Sequence, residues 1–231
     1  PPYSSGQKNA NDNNENLSYP KLAASLRDSY AQYSTATNKN SIYDSYIRAI
    51  RWASDRLTSH GIIGFVSGSG FIDKPAMDGV RKCLKNDFSS LYVFNLRGDI
   101  RKNMFTKGLA GEGENIFDSG SMTGIAISFL VKNTNSNESG KIYYKDIGDN
   151  LKLEDKKNIL LKSKSIISIE ESNGLTELFA DEYGDWLNHR DVSFEEHISI
   201  GSKDKFLKKN TVFECYSSGV LEFASGYIFF I

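Results

Sequence analysis

The order of apolar runs and helical stripes predicts an α/β protein, half of a doubly wound sheet. Three observations carry this reading. Ile42, Tyr46, Ile50, Ala53 and Leu57 recur at helical spacing. The continuous apolar run 62–66 follows at once, and a second such run, 91–96, follows the stripe Met77, Val80, Leu84 and Phe88. Runs of this kind fit strands covered on both faces. The order helix, strand, helix, strand fits parallel strands joined by right-handed crossovers.

The elements come in this order. Residues 4–20 are polar, with Asn9, Asn11, Asn13, Asn14 and Asn16 clustered, and read as a loop. A helix is predicted over 20–33. Ser41 and Asp44 form a capping-box pattern at the start of the next helix, and Gly61 stops it. Ser67-Gly68-Ser69-Gly70 reads as a tight strand-to-helix turn. A nucleotide loop is the other reading, but the third glycine and the acidic residue after a second strand are missing. Asp73 is predicted to cap the next helix, with Pro75 in its first turn.

Residues 97–123 break the pattern. Arg97, Arg101, Lys102 and Lys107 alternate with Gly98, Gly108, Gly111, Gly113 and Gly120. The segment starts where a strand ends, which is where open α/β sheets place their sites. Two readings stand: a loop that contacts nucleic-acid phosphates, and a solvated connection. Residues 124–132 and 141–147 then alternate as strands, and the short polar link 133–140 predicts an antiparallel hairpin at the sheet edge. A helix is predicted over 153–162. Lysines cluster beside it and again at Lys203, Lys205, Lys208 and Lys209; interspersed carboxylates make an ordinary solvated face the plainer reading. Trp186 is expected to anchor a small core, with stacking on a base as the other reading. The domain expectation is 1–149 for the α/β part and 150–231 for a smaller α+β part.

Composition bounds the function. The chain has 231 residues and a formal net charge of −1, so no global basic field coats a polyanion. Cys83 and Cys215 are far apart and fit reduced cytosolic thiols. His60, His189 and His197 lack metal-ligand spacing. No apolar run has the length of a membrane span and no signal peptide is visible, so the expected location is cytoplasmic.

The chain opens on Pro1-Pro2-Tyr3. Two prolines fix φ and remove two donors, leaving stiff carbonyls beside an aromatic plate. Such a loop suits the grip of a flat heterocycle bearing an amino group; a plain turn or exposed polyproline segment is the other reading. Downstream stand Ile42-Tyr43-Asp44-Ser45-Tyr46-Ile47-Arg48, Gly61-Ile62-Ile63-Gly64-Phe65-Val66, Asn95-Leu96-Arg97-Gly98-Asp99, Glu112-Gly113, Ile116-Phe117 and Gly184-Asp185-Trp186-Leu187-Asn188. In this order, over most of residues 1 to about 219, the set resembles the methyltransferase part of single-chain type ISP restriction–modification enzymes, within the adenine-N6 DNA methyltransferase family.

The resemblance implies the C-terminal half of a doubly wound, class I methyltransferase-like, Rossmann-like sheet and a start of the target-recognition region in 150–231. It implies that Pro1, Pro2 and Tyr3 are catalytic. The Pro1 carbonyl would accept from the adenine amino group, and Tyr3 would stack on the base once it is flipped from double-stranded DNA. The Asn or Asp that opens the family motif is absent from the chain. The glycine-rich loop for S-adenosylmethionine lies before that motif, so the main cofactor site is expected to be missing and the fragment inactive. Arg97, Arg101, Lys102, Lys107, Lys205 and Lys208 are the candidate DNA contacts. Other parts of a restriction–modification enzyme are the expected partners. Relatives continue after Tyr216-Ser217-Ser218-Gly219 with a Thr-x-Arg-Asp pattern. The apolar end Tyr227-Ile228-Phe229-Phe230-Ile231 departs from it, and the expectation is a truncated product. The competing reading is a binding module that touches DNA or a subunit and transfers nothing.

Overall fold

The computed structural model describes residues 19–118, 121–187, 193, 196–198, 211 and 212, and the backbone of 220–222 and 228–230. The chain divides into two compact units, 1–189 and 190–231. Residues 150–187, expected with the second part, therefore pack within the first unit. In the second unit, strands β6 (Val220–Glu222) and β7 (Ile228–Phe230) pair antiparallel.

The first unit is a mixed α/β fold. Its strands are β1 (His60–Gly68), β2 (Ser90–Arg97), β3 (Ile125–Asn133), β4 (Lys141–Asp146) and β5 (Thr176–Leu178), in the sheet order β1-β3-β2-β4-β5. β3 runs antiparallel to both β1 and β2, whereas β2 and β4 are parallel. β1 and β2 therefore share a direction, as expected, but they are not neighbours.

The predicted hairpin of 124–132 and 141–147 does not form, because β2 lies between the two strands. The link passes the start of β2 and is tied there: Gly140 N donates to Phe88 O at 3.0 Å and Lys141 N to Ser89 O at 3.1 Å. The physical reason is burial. β2 carries Leu91 and Val93 on one face and Phe94 and Leu96 on the other, all buried. A strand apolar on both faces belongs in the middle of a sheet.

Helices cover both faces. On one side lie α1 (Pro20–Leu26), α2 (Ser45–Ser54), the short α3 (Gly70–Asp73) and α4 (Asp78–Asp87). They enclose a core that includes Leu26, Ile47, Ile50, Leu84, Leu91, Val93 and Leu130. α6 (Leu153–Ser163) and α7 (Ile166–Glu171) cover the other side over Phe94, Leu96, Ile125 and Ile147. An apolar cavity of about 210 Å³ remains there, lined by Phe94, Ile127, Leu160 and Ile169 among others. β1 is only partly covered: Ile63 is buried, Ile62 and Val66 are exposed, and its outer edge pairs with no strand among the described residues.

The local expectations fare unevenly. The helix predicted over 20–33 is present, with a π-helical turn at Arg27–Ala31. That turn brings the Tyr30 carbonyl against α4, where a Cβ on Gly79 would lie 2.0 Å from Tyr30 O. The capping box does not close. Residues Asn40–Tyr43 form a 3-10 turn and Asp44 is the N-cap without a side-chain cap bond. Asp73 ends α3 instead of capping the next helix, because Pro75–Met77 adds a 3-10 turn before α4. Trp186 joins the main core at 2% exposure, edge-on to Phe71 at 6.2 Å, and so anchors no separate small core.

Candidate nucleic-acid interface at the carboxyl edge of the sheet

β1, β2 and β4 all end on the same edge, and the segment 97–124 rises from it. At the end of β2 the register shifts between Asn95 and Arg97, a bulge that re-aims the chain. Asn95 Oδ1 accepts from Arg97 N at 2.9 Å. Arg97 then takes φ 55° and Gly98 φ 85°, a left-handed pair that turns the chain sharply. A side chain at Gly98 would press on Asn115 Cα at 2.8 Å.

Beyond Gly98 the chain is ordered by its own polar contacts. Asp99 caps a short helix, α5 (Ile100–Phe105), accepting from Arg101 N at 3.1 Å and Lys102 N at 3.2 Å. Glu112 folds back under it, and its Oε2 accepts from Asp99 N at 3.0 Å. Lys156 reaches up from α6, fully buried, and donates to Leu96 O at 2.8 Å and Glu112 O at 3.0 Å. Burial lowers the Lys156 ammonium below the ordinary lysine value, with Glu112 opposing. Asn115, 2% exposed, closes the loop by donating to Gly98 O and Thr123 O.

The four candidate contacts in this region separate into two kinds. Arg97 Nε binds Asp146 Oδ1 at 2.8 Å, and its Nη1 binds Asp149 Oδ1 at 2.5 Å and Gly111 O at 3.1 Å. Burial pulls its guanidinium down, but the pairs with Asp146 and Asp149 outweigh that and hold it above the usual value. Lys102 binds Asp73 Oδ2 at 2.5 Å and Glu112 Oε1 at 3.4 Å. Burial likewise lowers it, and Asp73 and Glu112 more than compensate. These two cations are engaged in ion pairs within the chain while keeping part of their side chains exposed, 21% for Arg97 and 38% for Lys102. Arg101 and Lys107 are exposed on α5 and the turn after it. Lys205, Lys208 and the trio Pro1, Pro2 and Tyr3 lie outside the described residues.

Two groups were missed by the sequence reading. Lys156 stands in a run of lysines whose plainer reading is a solvated face. Its one signal is position: Leu153, Lys156 and Leu160 fall on one helical stripe. Arg81, 1% exposed, donates to Gly184 O at 2.9 Å, Phe71 O at 3.1 Å and Lys74 O at 2.9 Å, and pairs with Asp185. The Gly184-Asp185-Trp186 string is thereby a fold element, holding residues 181–187 to α3 and α4.

Among the described residues the glycine-rich turn 67–70 does not fit a cofactor cradle. Ser69 N is already bonded to Gly124 O at 2.8 Å, and a Cβ on Gly124 would meet Ser69 Oγ at 2.5 Å. Nor is any described helix long and apolar enough to cross a membrane.

Comparison with solved structures places the chain beside DNA-handling enzymes. It is 44% identical over 92% of its length to LlaBIII, an ATP-dependent Type ISP restriction–modification enzyme bound to DNA, with a TM-score of 0.81. It is 45% identical over 88% of its length to a nuclease-deletion mutant of the Type ISP enzyme LlaGI in complex with a DNA substrate mimic, TM-score 0.77. It is 30% identical over 96% of its length to DrdV in a DNA complex, TM-score 0.76. The chain spans only 14%, 16% and 21% of those proteins respectively. No protein-family model matches the chain, and no curated protein does.

Proposed function

We propose that this chain is a piece of a Type ISP restriction–modification enzyme, namely the later half of its methyltransferase domain with the start of its target-recognition region. The carrying observation is 44% identity across 92% of the chain to such an enzyme solved on DNA. The finer assignment, adenine-N6 methylation with S-adenosylmethionine as donor, rests on the Pro1-Pro2-Tyr3 motif and the strings downstream of it. The topology supports the reading: β1, β2 and β4 share a direction, and helices cover both faces of the sheet.

On this reading the Pro1 carbonyl accepts from the target amino group and Tyr3 stacks on the flipped base. Arg101 and Lys107 neutralise phosphates, and Lys205 and Lys208 do the same from the recognition region. Arg97 and Lys102 act indirectly, by fixing the segment that presents Arg101 and Lys107. On this reading the glycine-rich loop for S-adenosylmethionine belongs to another part of the enzyme, and the turn 67–70, whose Ser69 N is bonded to Gly124 O, does not replace it.

Two measurements test the proposal. Calorimetry of the 231-residue chain with S-adenosylmethionine is expected to give little or no heat; tight binding contradicts it. In an enzyme containing the whole domain, Tyr3→Ala is expected to lower methyl transfer far more than DNA affinity. Unchanged turnover removes Tyr3 from the site.

A further inference from the structure

We infer that the tip of the α5 segment, Phe105 with Met104 and Leu109, is a wedge that enters the base stack of bound DNA while Arg101 and Lys107 hold the flanking phosphates. This rests on the DNA reading proposed above and adds a second contact to it, separate from the base-gripping motif.

The observations are local. Phe105 is 88% exposed, Leu109 89% and Met104 67%, large apolar side chains within six positions of one another. Exposed clusters of this kind mark interaction sites. From Ile100 to Gly111 the sequence carries no carboxylate, and Arg101 and Lys107 stand exposed while Lys102 is paired with Asp73 and Glu112. That charge favours a polyanion over an ordinary protein surface.

The tip is also held from below. Buried contacts of Asp99, Glu112 and Lys156 fasten its base, and the partly exposed Lys102 adds a part-buried bond to Asp99 and an ion pair to Glu112. Gly108 N closes the far turn onto Asn103 O at 2.6 Å, and Thr106 Oγ1 bonds Lys102 O at 2.8 Å. Lys107 at φ 54° and Gly108 at φ 85° reverse the chain there, with nothing within 4 Å of a Cβ on Gly108. A protrusion anchored by buried polar groups and ending in apolar side chains suits insertion between base pairs, where unstacking is offset by apolar contact.

The test compares three forms of the chain: the parent, Phe105→Ala/Leu109→Ala and Arg101→Gln/Lys107→Gln. All four side chains are exposed, so the variants are expected to fold, and circular dichroism and thermal melts verify it. Each form is titrated, across a range of salt, into short duplexes that carry single 2-aminopurine bases as unstacking reporters. The parent should bind and raise 2-aminopurine fluorescence. The apolar double variant should bind roughly tenfold more weakly, with the same salt slope and no fluorescence rise. The basic double variant should flatten the salt slope by about two phosphate contacts. If the parent fails to bind duplex at low salt, the DNA role of this segment falls together with the wedge. If the parent binds but the apolar double variant matches it in affinity and fluorescence, the wedge alone is overturned, and the tip belongs to a protein surface.

Discussion

The buried pair of Arg81 and Asp185 gives the sharpest quantitative expectation. Replacing Arg81 with Met keeps the apolar stem but removes the donor of three carbonyls and leaves the buried Asp185 carboxylate without its guanidinium. Breaking one side of such a pair costs about 3–5 kcal/mol. For a chain of this size that lowers Tm by roughly 10 °C. Burial already pulls the Arg81 guanidinium below its ordinary value, with Asp185 opposing, so Asp185→Asn strands a costly cation and should destabilise comparably. The double variant Arg81→Met/Asp185→Asn should lose less than the sum, with a coupling of about 1–3 kcal/mol. Trp186 adjoins the pair and is buried, whereas Trp52, the other tryptophan, is half-exposed. Urea unfolding followed by Trp186 fluorescence in a Trp52→Phe background therefore reads the region directly. Strictly additive losses, or single variants within about 0.5 kcal/mol of the parent, would refute the assignment of this pair as a tie between the 181–187 segment and the helical layer.

Other expectations concern the helical layer and the base of the α5 segment. Gly79→Ala would put a methyl 2.0 Å from Tyr30 O and 2.7 Å from Ser34 N, both backbone atoms. It should cost about 3 kcal/mol, visible in a denaturant midpoint, and a neutral result would mean that the π-helical turn Arg27–Ala31 and α4 do not approach so closely. Asp78 is fully buried; burial alone would raise its carboxyl, but bonds from Ser34, Thr35 and the Gly79 amide hold it at about 2. Its folded value is depressed, so its contribution is complete above the unfolded value of about 4 and is lost as pH falls through about 2. Acid titration of Asp78→Asn should accordingly show a flatter stability curve over that window, and an unaltered curve would count against the linkage. Lys156→Met removes the donor to Leu96 O and Glu112 O. It should speed amide exchange across residues 97–112 more than elsewhere; a uniform change would mean that Lys156 does not pin the segment.

Much of the scaffold was readable from residue order. The apolar runs 62–66 and 91–96 lie in β1 and β2, and Met77, Val80, Leu84 and Phe88 are all buried as the stripe required. Strand order was not readable. Nothing in the alternation of 124–132 and 141–147 tells whether two strands touch or straddle a third, since register depends on partners distant in sequence. The clue lay in β2, whose two apolar faces mark it as central. In the site, side-chain chemistry was legible and geometry was not. Arg97, Lys102 and Lys107 read alike as cations, yet the first two pair with Asp146 and Asp73 while Lys107 is exposed. That choice is made by carboxylates brought close only by folding. Asp99, quoted as part of a motif string, acts as a helix cap, which a single sequence could have suggested from the short helix after it.

The bare flank of β1 carries a practical consequence for handling the isolated chain. Among the described residues no strand pairs with the outer edge of the nine-residue β1, His60–Gly68, and Ile62 and Val66 stand exposed on it. Such a ribbon is a template for another copy of itself, and concentrated samples should stick flank to flank. A lysine at Ile62, 67% exposed and remote from the carboxyl end of the strand, would act as a gatekeeper: it should keep the chain dispersed without disturbing the polar scaffold beneath α5.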